Sequence, residues 1–347
     1  MSSTLSPRAS GLFVCQKAKN VSIDDAAVQK LSYILADAVQ EGRLGNDTFK
    51  YNSVFPMQLN LTTKQLINWT FLVDAINFNF WTPDGLPKFT VTHGTTTRVG
   101  YLGMVAAVNR AMAEGKPMYD ATFYGKLSLQ DLLQIFRSDT ASQMPLFEER
   151  VRILGEIASK LEEKYDGCFE NVVKEAKDDA LSLVRIVARE FPCFRDEAVY
   201  EGQRISLYKR AQILAADLDL LFKVKGLPGL ANIDQLTMFA DYRVPQVLLS
   251  FGVLQYSSTL MDQLRKEHLF PNGSEEEVEM RACSIEAVER LVQSCRRVLK
   301  ERCWGKQEEL ERAITSVKAD FFLWDYRVKH ARQLTSVPYH RTRCIYY

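Results

Sequence analysis

Apolar side chains recur every three or four residues along nearly the whole of this 347-residue chain, and only an α-helix gathers such positions onto one face. Ser22 and Asp25 form a capping box ahead of Val28, Leu31, Leu35 and Val39, and Gly42 stands where a C-terminal cap belongs, which predicts a first helix. Thr62 or Thr63 caps a second helix through Leu66, Ile67, Phe71, Leu72 and Ile76, running into the aromatic cluster Phe78, Phe80 and Trp81 before a Pro83-Asp84-Gly85 turn. The spacing predicts further helical stretches near 101–114, 129–137, 146–165, 169–190, 205–225, 233–254, 257–268, 276–302 and 307–330. One β signal stands against them: Phe89, Val91 and a Thr-rich stretch alternate around His93-Gly94, between Lys88 and Arg98, enough for one small hairpin. The fold class read from this pattern is all-α, mainly helical and compact, with one small β-hairpin. No alternating strand-helix units support a large parallel sheet.

Charge and cysteine usage narrow the partners. Lys and Arg number 44 against 43 Asp and Glu, a formal net charge of +1, whereas chains that grip duplex nucleic acid through its phosphates carry a clear basic excess. No stable nucleic-acid complex is therefore expected. No 18 apolar residues run without a charge and the first twenty residues hold no apolar signal segment, so no membrane partner is expected and the chain is assigned to the cytoplasm. Its seven cysteines are scattered without a C-x-x-C pair, which supports neither a disulfide framework nor a zinc knuckle. P-loop, H-E-x-x-H, G-x-S-x-G and EF-hand signatures are absent, and His93, His268, His330 and His340 are too dispersed to announce a metal site. The length allows two domains, yet no Pro/Gly/Ser-rich linker interrupts the pattern. Residues 1–347 read as a single domain, with an N-terminal helical part to about residue 145, a C-terminal part over 146–347 and the active site expected between them.

Three constellations place polar groups on apolar faces. In the stretch 205–225, Ile205, Lys209, Ile213, Ala216 and Leu220 form one stripe and Leu207, Ala211, Leu214, Leu218 and Leu221 another, so the helix is covered on both sides and Lys209 emerges among apolar neighbours. Such a lysine snorkels or takes a carboxylate or phosphate partner. In Leu236 to Gln246 the charged triplet Asp241-Tyr242-Arg243 precedes Val244-Pro245, and proline disfavours the helical conformation before it, so Asp241 lies near a helix break. A carboxylate there either faces a cavity, where it can stabilise positive charge or activate water, or caps the next helix or pairs with Arg243. In the last long helix Leu310, Ile314, Val317, Phe321, Trp324 and Val328 keep the apolar spacing, and Asp325 falls at its margin, followed by Tyr326 and His330. A carboxylate beside aromatic rings suits a planar heterocycle with paired N–H donors, although Trp324 and Tyr326 read equally as core. The segment from Pro338 to Tyr347 is aromatic and basic, which predicts docking rather than solvation.

Several longer motifs occur in a fixed order: Asn68-Trp69 with Asp74 to Trp81, Ala107 to Ala111, Arg137 to Thr140 with Met144-Pro145, Tyr208 to Leu214, Thr237 to Gln246, Leu323 to Tyr326, and His340 to Tyr347. On these segments the chain resembles the queuosine salvage protein family over nearly its full length. The resemblance implies a fold like that of helix-hairpin-helix DNA glycosylases; the run Val224 to Leu230, with Gly226, Pro228 and Gly229, is similar to their hairpin, though without its lysine and closer to the following aspartate. It implies hydrolysis of the N-glycosidic bond of queuosine 5′-monophosphate, a small-molecule substrate, releasing queuine for return to transfer RNA, with no metal and no cofactor. Asp241 is then the catalytic candidate, stabilising charge on the ribose or orienting water. Phe239 would stack on the base, Tyr242, Asp325, Tyr326 and His330 would line its pocket, and Lys209 and Arg341 would hold the 5′-phosphate. In one departure, Val54-Phe55-Pro56-Met57-Gln58 offers no histidine where many family members carry one. Two other readings remain open: a non-catalytic helical module binding a modified nucleotide, a transfer RNA or a protein, and a glycosylase acting on intact nucleic acid.

Overall fold

In a computed structural model of the chain the described residues are 4–44, 55–56, 59–302, 309 and 313–347. Among them the helices are α1 (Pro7–Cys15), α2 (Asp25–Gln40), α3 (Thr63–Ala75), α4 (Gly100–Ala113), α5 (Ala121–Tyr124), α6 (Leu129–Ile135), α7 (Phe147–Lys164), α8 (Phe169–Glu175), α9 (Ala180–Glu190), α10 (Lys209–Val224), α11 (Val244–Ser250), α12 (Ser258–Arg265), α13 (Glu275–Arg302) and α14 (Ser316–Lys329). The strands are β1 (Val21–Ile23), β2 (Thr90–His93), β3 (Thr96–Val99), β4 (Glu197–Tyr200), β5 (Gln203–Ser206) and β6 (Leu254–Tyr256), in three two-stranded antiparallel sheets: β1 with β6, β2 with β3 and β4 with β5. None of these helices is long and apolar enough to cross a membrane.

The mainly helical class holds, with corrections of detail. The expected hairpin is β2–β3, with Thr90 opposite Val99 and His93 opposite Thr96. The two further sheets were not expected, because strands of three or four residues are too short to show an alternating pattern. Ser22 lies in β1, and α2 is capped instead by Asp24, which accepts the Ala27 N–H at 2.9 Å. Thr62 does cap α3, in a reciprocal box with Gln65. Lys177 and Asp178 take left-handed φ values of 54° and 52° and divide the expected 169–190 helix into α8 and α9. The stretch 233–254 is a 3-10 turn, an irregular segment, α11 and β6 rather than one helix, because Pro245 fits only the first turn of a helix. Leu310 of the last helical stripe, Cys303, and Val54, Met57 and Gln58 lie outside the described residues.

The chain divides into two compact units, one of Met1–Asn46, Asp196–Lys209 and Asp234–Arg343, the other of Asp47–Arg195, Arg210–Ile233 and Cys344–Tyr347. The first is organised on the 28-residue α13, with α1 and α2 packed along it. Its core includes Val14, Leu31, Leu35, Met238, Val247, Leu248, Val288, Leu291, Cys295 and Leu323. Helix α1 runs antiparallel to α13: Arg8 pairs with Glu289, and the Lys19 N–H reaches Glu279 at 3.0 Å. Between them Gly11 lets the helices approach, since a Cβ there would stand 2.9 Å from Ile285 Cγ2. In the second unit Phe71 stacks on Phe169 at 3.9 Å and touches Phe191 and Phe194. Helix α10 starts at Lys209 rather than near 205, because Gln203–Ser206 pair as β5 and leave Ile205 and Leu207 outside it, and the helix is buried on both sides, as the rest of its two apolar stripes requires.

Candidate active site

All the sequence-nominated site residues fall within the first unit, and the segment leading to α11 is their centre. Leu236 to Ala240 are buried and Asp241 is half-buried. Long-range carboxylate and guanidinium contacts hold this irregular stretch. The Phe239 N–H donates to the buried Asp320 of α14 at 3.0 Å, and Arg281 of α13 donates from Nε to the Ala240 carbonyl at 2.9 Å. Arg281 is itself fixed by Asp196, at 3.0 and 2.6 Å, and by Glu277 at 3.1 Å. A segment without helix or ladder thus has its backbone satisfied by buried side chains.

Asp241 combines the two roles that its position left open. Its Oδ1 accepts the N–H groups of Arg243, at 2.8 Å, and Val244, at 2.9 Å, opening α11 as a cap. Its Oδ2 accepts no hydrogen bond from any described residue. One oxygen therefore fixes the carboxylate's direction and the other is available to a ligand.

Around it the structure assembles cations and rings. The Arg243 guanidinium lies 3.9 Å from the centroid of the Tyr339 ring and 5.1 Å from that of Tyr242, and it donates to Gln246 at 3.1 Å. Tyr242 meets Tyr339 at 5.6 Å and stands edge-on to His340 at 6.5 Å. Gln246 in turn donates to the Leu334 and Val337 carbonyls at 3.0 and 2.6 Å, which secures the chain leading into Tyr339. Arg327 of α14 belongs to the same group: burial pushes its guanidinium below the ordinary value and Arg243 adds to that, while Tyr242, Asp241 and Tyr339 oppose it. His340 is fully enclosed, and burial, with Arg281 and Arg243 nearby, lowers its imidazole to about 3, so it is neutral.

The other nominated residues lie at varying remove. Phe239 is buried with its ring 5.9 Å from Phe321. Tyr326 stacks on His330 at 3.9 Å and touches Phe251 at 4.9 Å. Asp325, at the margin of the buried face as the spacing predicts, forms an ion pair with Lys329 at 2.6 Å on the solvent side. Arg341 is buried in an ion pair with Glu267 and lies 5.2 Å over Tyr339. Lys209 is buried as expected, and its backbone N–H donates to Asp196 at 3.1 Å, which ties it to the Arg281 network behind Ala240. The docking expected for the last segment also holds, since His340, Arg341, Thr342, Cys344 and Tyr347 are buried. Sequence reasoning missed Asp320, Asp196, Arg281, Arg327 and Tyr339 as parts of this arrangement. Only Tyr339 carried a signal, in the aromatic, basic segment it belongs to.

Comparison with known proteins agrees with the motifs. A sequence model of the queuosine salvage protein family matches residues 57–347. A Mus musculus protein named queuosine 5′-phosphate N-glycosylase/hydrolase is 40% identical over 347 residues, covering all of both chains. A Nematostella vectensis protein of the same name is 36% identical over 344 residues, 98% of each chain. One from Sphaerobacter thermophilus is 38% identical over 284 residues, 81% of each. With similarity of this extent from an animal to a bacterial relative, the chain belongs to the queuosine salvage protein family.

Proposed function

We propose that this protein hydrolyses the N-glycosidic bond of queuosine 5′-phosphate, releasing queuine for salvage, with Asp241 as the catalytic carboxylate. The observation that carries the assignment of Asp241 is its divided hydrogen bonding: Oδ1 is held by two backbone N–H groups and Oδ2 is left for a ligand. The relatives' shared name supplies the substrate and the bond cleaved. Breaking that bond builds positive charge at C1′ of the ribose while the electron pair leaves with the base; water then supplies the new C1′ oxygen and, overall, the proton that the base takes away. A carboxylate fixed in direction near C1′ stabilises the developing charge without having to reorganise. The leaving 7-deazaguanine has no N7 to protonate, so help to the base comes through hydrogen bonds to its remaining edge.

Buried aromatic rings at Phe239 and Tyr242 support stacking on a planar base, and the stacked Tyr326–His330 pair completes the proposed base side. The near-zero net charge supports a free nucleotide rather than an intact nucleic acid as substrate. The full-length matches support treating 1–347 as one catalytic domain. The helical content, with a left-handed Gly226 closing α10, is compatible with a frame of the helix-hairpin-helix DNA-glycosylase kind.

Purified protein incubated with queuosine 5′-monophosphate should yield free queuine by mass spectrometry, and Asp241→Asn should lower kcat by about 10²–10³. A nucleotide that binds and stays intact would replace the hydrolase with a binding module. Unchanged turnover in the variant would remove Asp241 from the chemistry.

A further inference from the structure

Among the described cysteines Cys15 is the one partly open to solvent, whereas Cys168, Cys193, Cys283, Cys295 and Cys344 are buried. It is the last residue of α1, and the register of α1 on α13 decides what it meets. The contacts between them run in antiparallel order: Arg8 with Glu289, Gly11 against Ile285 and Ala282, and, just beyond α1, the Lys19 N–H with Glu279. Cys15 falls between Gly11 and Lys19 in this order, and Cys283 falls between Ile285 and Glu279. Glu279 and Cys283 are also four residues apart on α13, so they share the face turned to α1. The register therefore sets the two thiols against each other, and they are in contact, with the Cys283 S–H donating a hydrogen bond to the Cys15 sulfur. No local spacing in the sequence announces the pair, because its members stand near opposite ends of the chain.

Two facing thiols can be bridged only where their backbones come close, with Cα atoms about 4.4–6.8 Å apart. Gly11, one turn before Cys15, meets that need by removing the side chain that would hold the helices apart. The two sulfurs are also unequal. The hydrogen bond from Cys283, and then Arg290, hold the Cys15 thiol below its ordinary value against burial, Glu286 and Asp25, while that same bond and burial, with Cys15, Glu279 and Glu286 adding to them, hold Cys283 well above. The more exposed sulfur is thus the more readily ionised one, which is the attacking form. We infer that Cys15 and Cys283 form an oxidisable dithiol, which a hydroperoxide closes into a disulfide that locks α1 onto α13. With hydrogen peroxide, a Cys15 S–O bond forms as the O–O bond breaks, and the departing hydroxide takes up the proton that Cys15 gave up. The Cys283 sulfur then attacks the Cys15 sulfur; the S–S bond forms, the S–O bond breaks, and hydroxide leaves with the Cys283 proton as a second water. Together the two sulfurs lose two electrons, and the peroxide gains them.

The test uses the full chain, first reduced, as wild type, Cys15→Ser and Cys283→Ser, each exposed to hydrogen peroxide. Trypsin cuts after Arg8, Lys17, Arg281 and Arg290, so the peptide 9–17 carries Cys15 and the peptide 282–290 carries Cys283 as its single cysteine. Mass spectrometry without reductant should find these two peptides joined and lighter by two hydrogens than their sum. The yield should not change when the protein is diluted, as an intramolecular bond requires. Oxidised wild type should also unfold at a higher urea concentration than reduced wild type, because the bond constrains the unfolded chain, and dithiothreitol should reverse the shift. Cys15→Ser should give neither the joined peptides nor the shift; its half-exposed position tolerates serine, so it carries the control if Cys283→Ser fails to fold. Cys15 recovered as sulfinic or sulfonic acid, left reduced, or joined to another cysteine would overturn the inference. So would a yield that falls on dilution, or the same urea shift in Cys15→Ser.

Discussion

At the scale of single residues, Asp241 was legible and its surroundings were not. Val244-Pro245 announces a helix break in the sequence, and an aspartate three residues before Val244 either caps or faces a cavity; the folded residue does the first with Oδ1 and leaves Oδ2 for the second. Arg327, Tyr339 and Arg281 reach the same place from distant parts of the chain, and no local pattern encodes such a meeting. His340 offers a test of this burial. Burial first, then Arg281 and Arg243, hold its imidazole near about 3 against an ordinary 6.5. Between those values the unfolded chain binds a proton that the folded chain refuses, so stability falls as pH drops below 6.5, and this residue adds no pH dependence above it. By pH 5 its contribution to the loss is about 2 kcal/mol. Urea unfolding at pH 7.5 and pH 5 should therefore show His340→Gln losing less on acidification than wild type, by about that amount. The same loss in both proteins would mean that His340 takes up its proton freely in the fold.

At the scale of elements, long periodic helices were the readable part. Helix α13 matches the stretch expected over 276–302, and α3 starts at the expected threonine, because an amphipathic face and a capping residue are local properties. The short strands β1, β4, β5 and β6 exist only through their partners, and a segment of three or four residues has no period of its own. The packing of α1 on α13 makes a sharper claim about sequence. Glycine inside a helix costs about 1 kcal/mol relative to alanine, so Gly11→Ala should stabilise α1 considered alone. In the fold the new Cβ would stand 2.9 Å from Ile285 Cγ2 and 3.1 Å from the Ala282 carbonyl, and a core side chain and a helix backbone cannot both yield. Overpacking of this kind costs about 1–3 kcal/mol. Gly11→Ala should thus lower the urea midpoint; a raised midpoint would show that the contact relaxes cheaply.

At the scale of the whole molecule, charge balance separates a nucleotide enzyme from a protein that holds nucleic acid. With 44 basic against 43 acidic side chains there is no field of one sign to gather a long polyanion. Raising salt from about 50 to about 200 mM should change kcat/KM for the nucleotide by less than about tenfold, whereas a protein neutralising 6–10 phosphates of a duplex loses about 10³–10⁵ in affinity over that range. A steep salt slope in steady-state kinetics would instead point to an intact transfer RNA as the ligand.

Periodicity and caps determined, without any structure, that the chain is mainly helical and where helices such as α3 and α13 run. The order of its motifs determined the family, now supported by relatives that match end to end. These properties are written in neighbouring residues. The tertiary structure decided which oxygen of Asp241 is spent and that Arg341 and Asp325 are taken by Glu267 and Lys329. The reason is physical: whether a charged group is free depends on what desolvates it and what it can reach, and both are settled by residues far away in the chain.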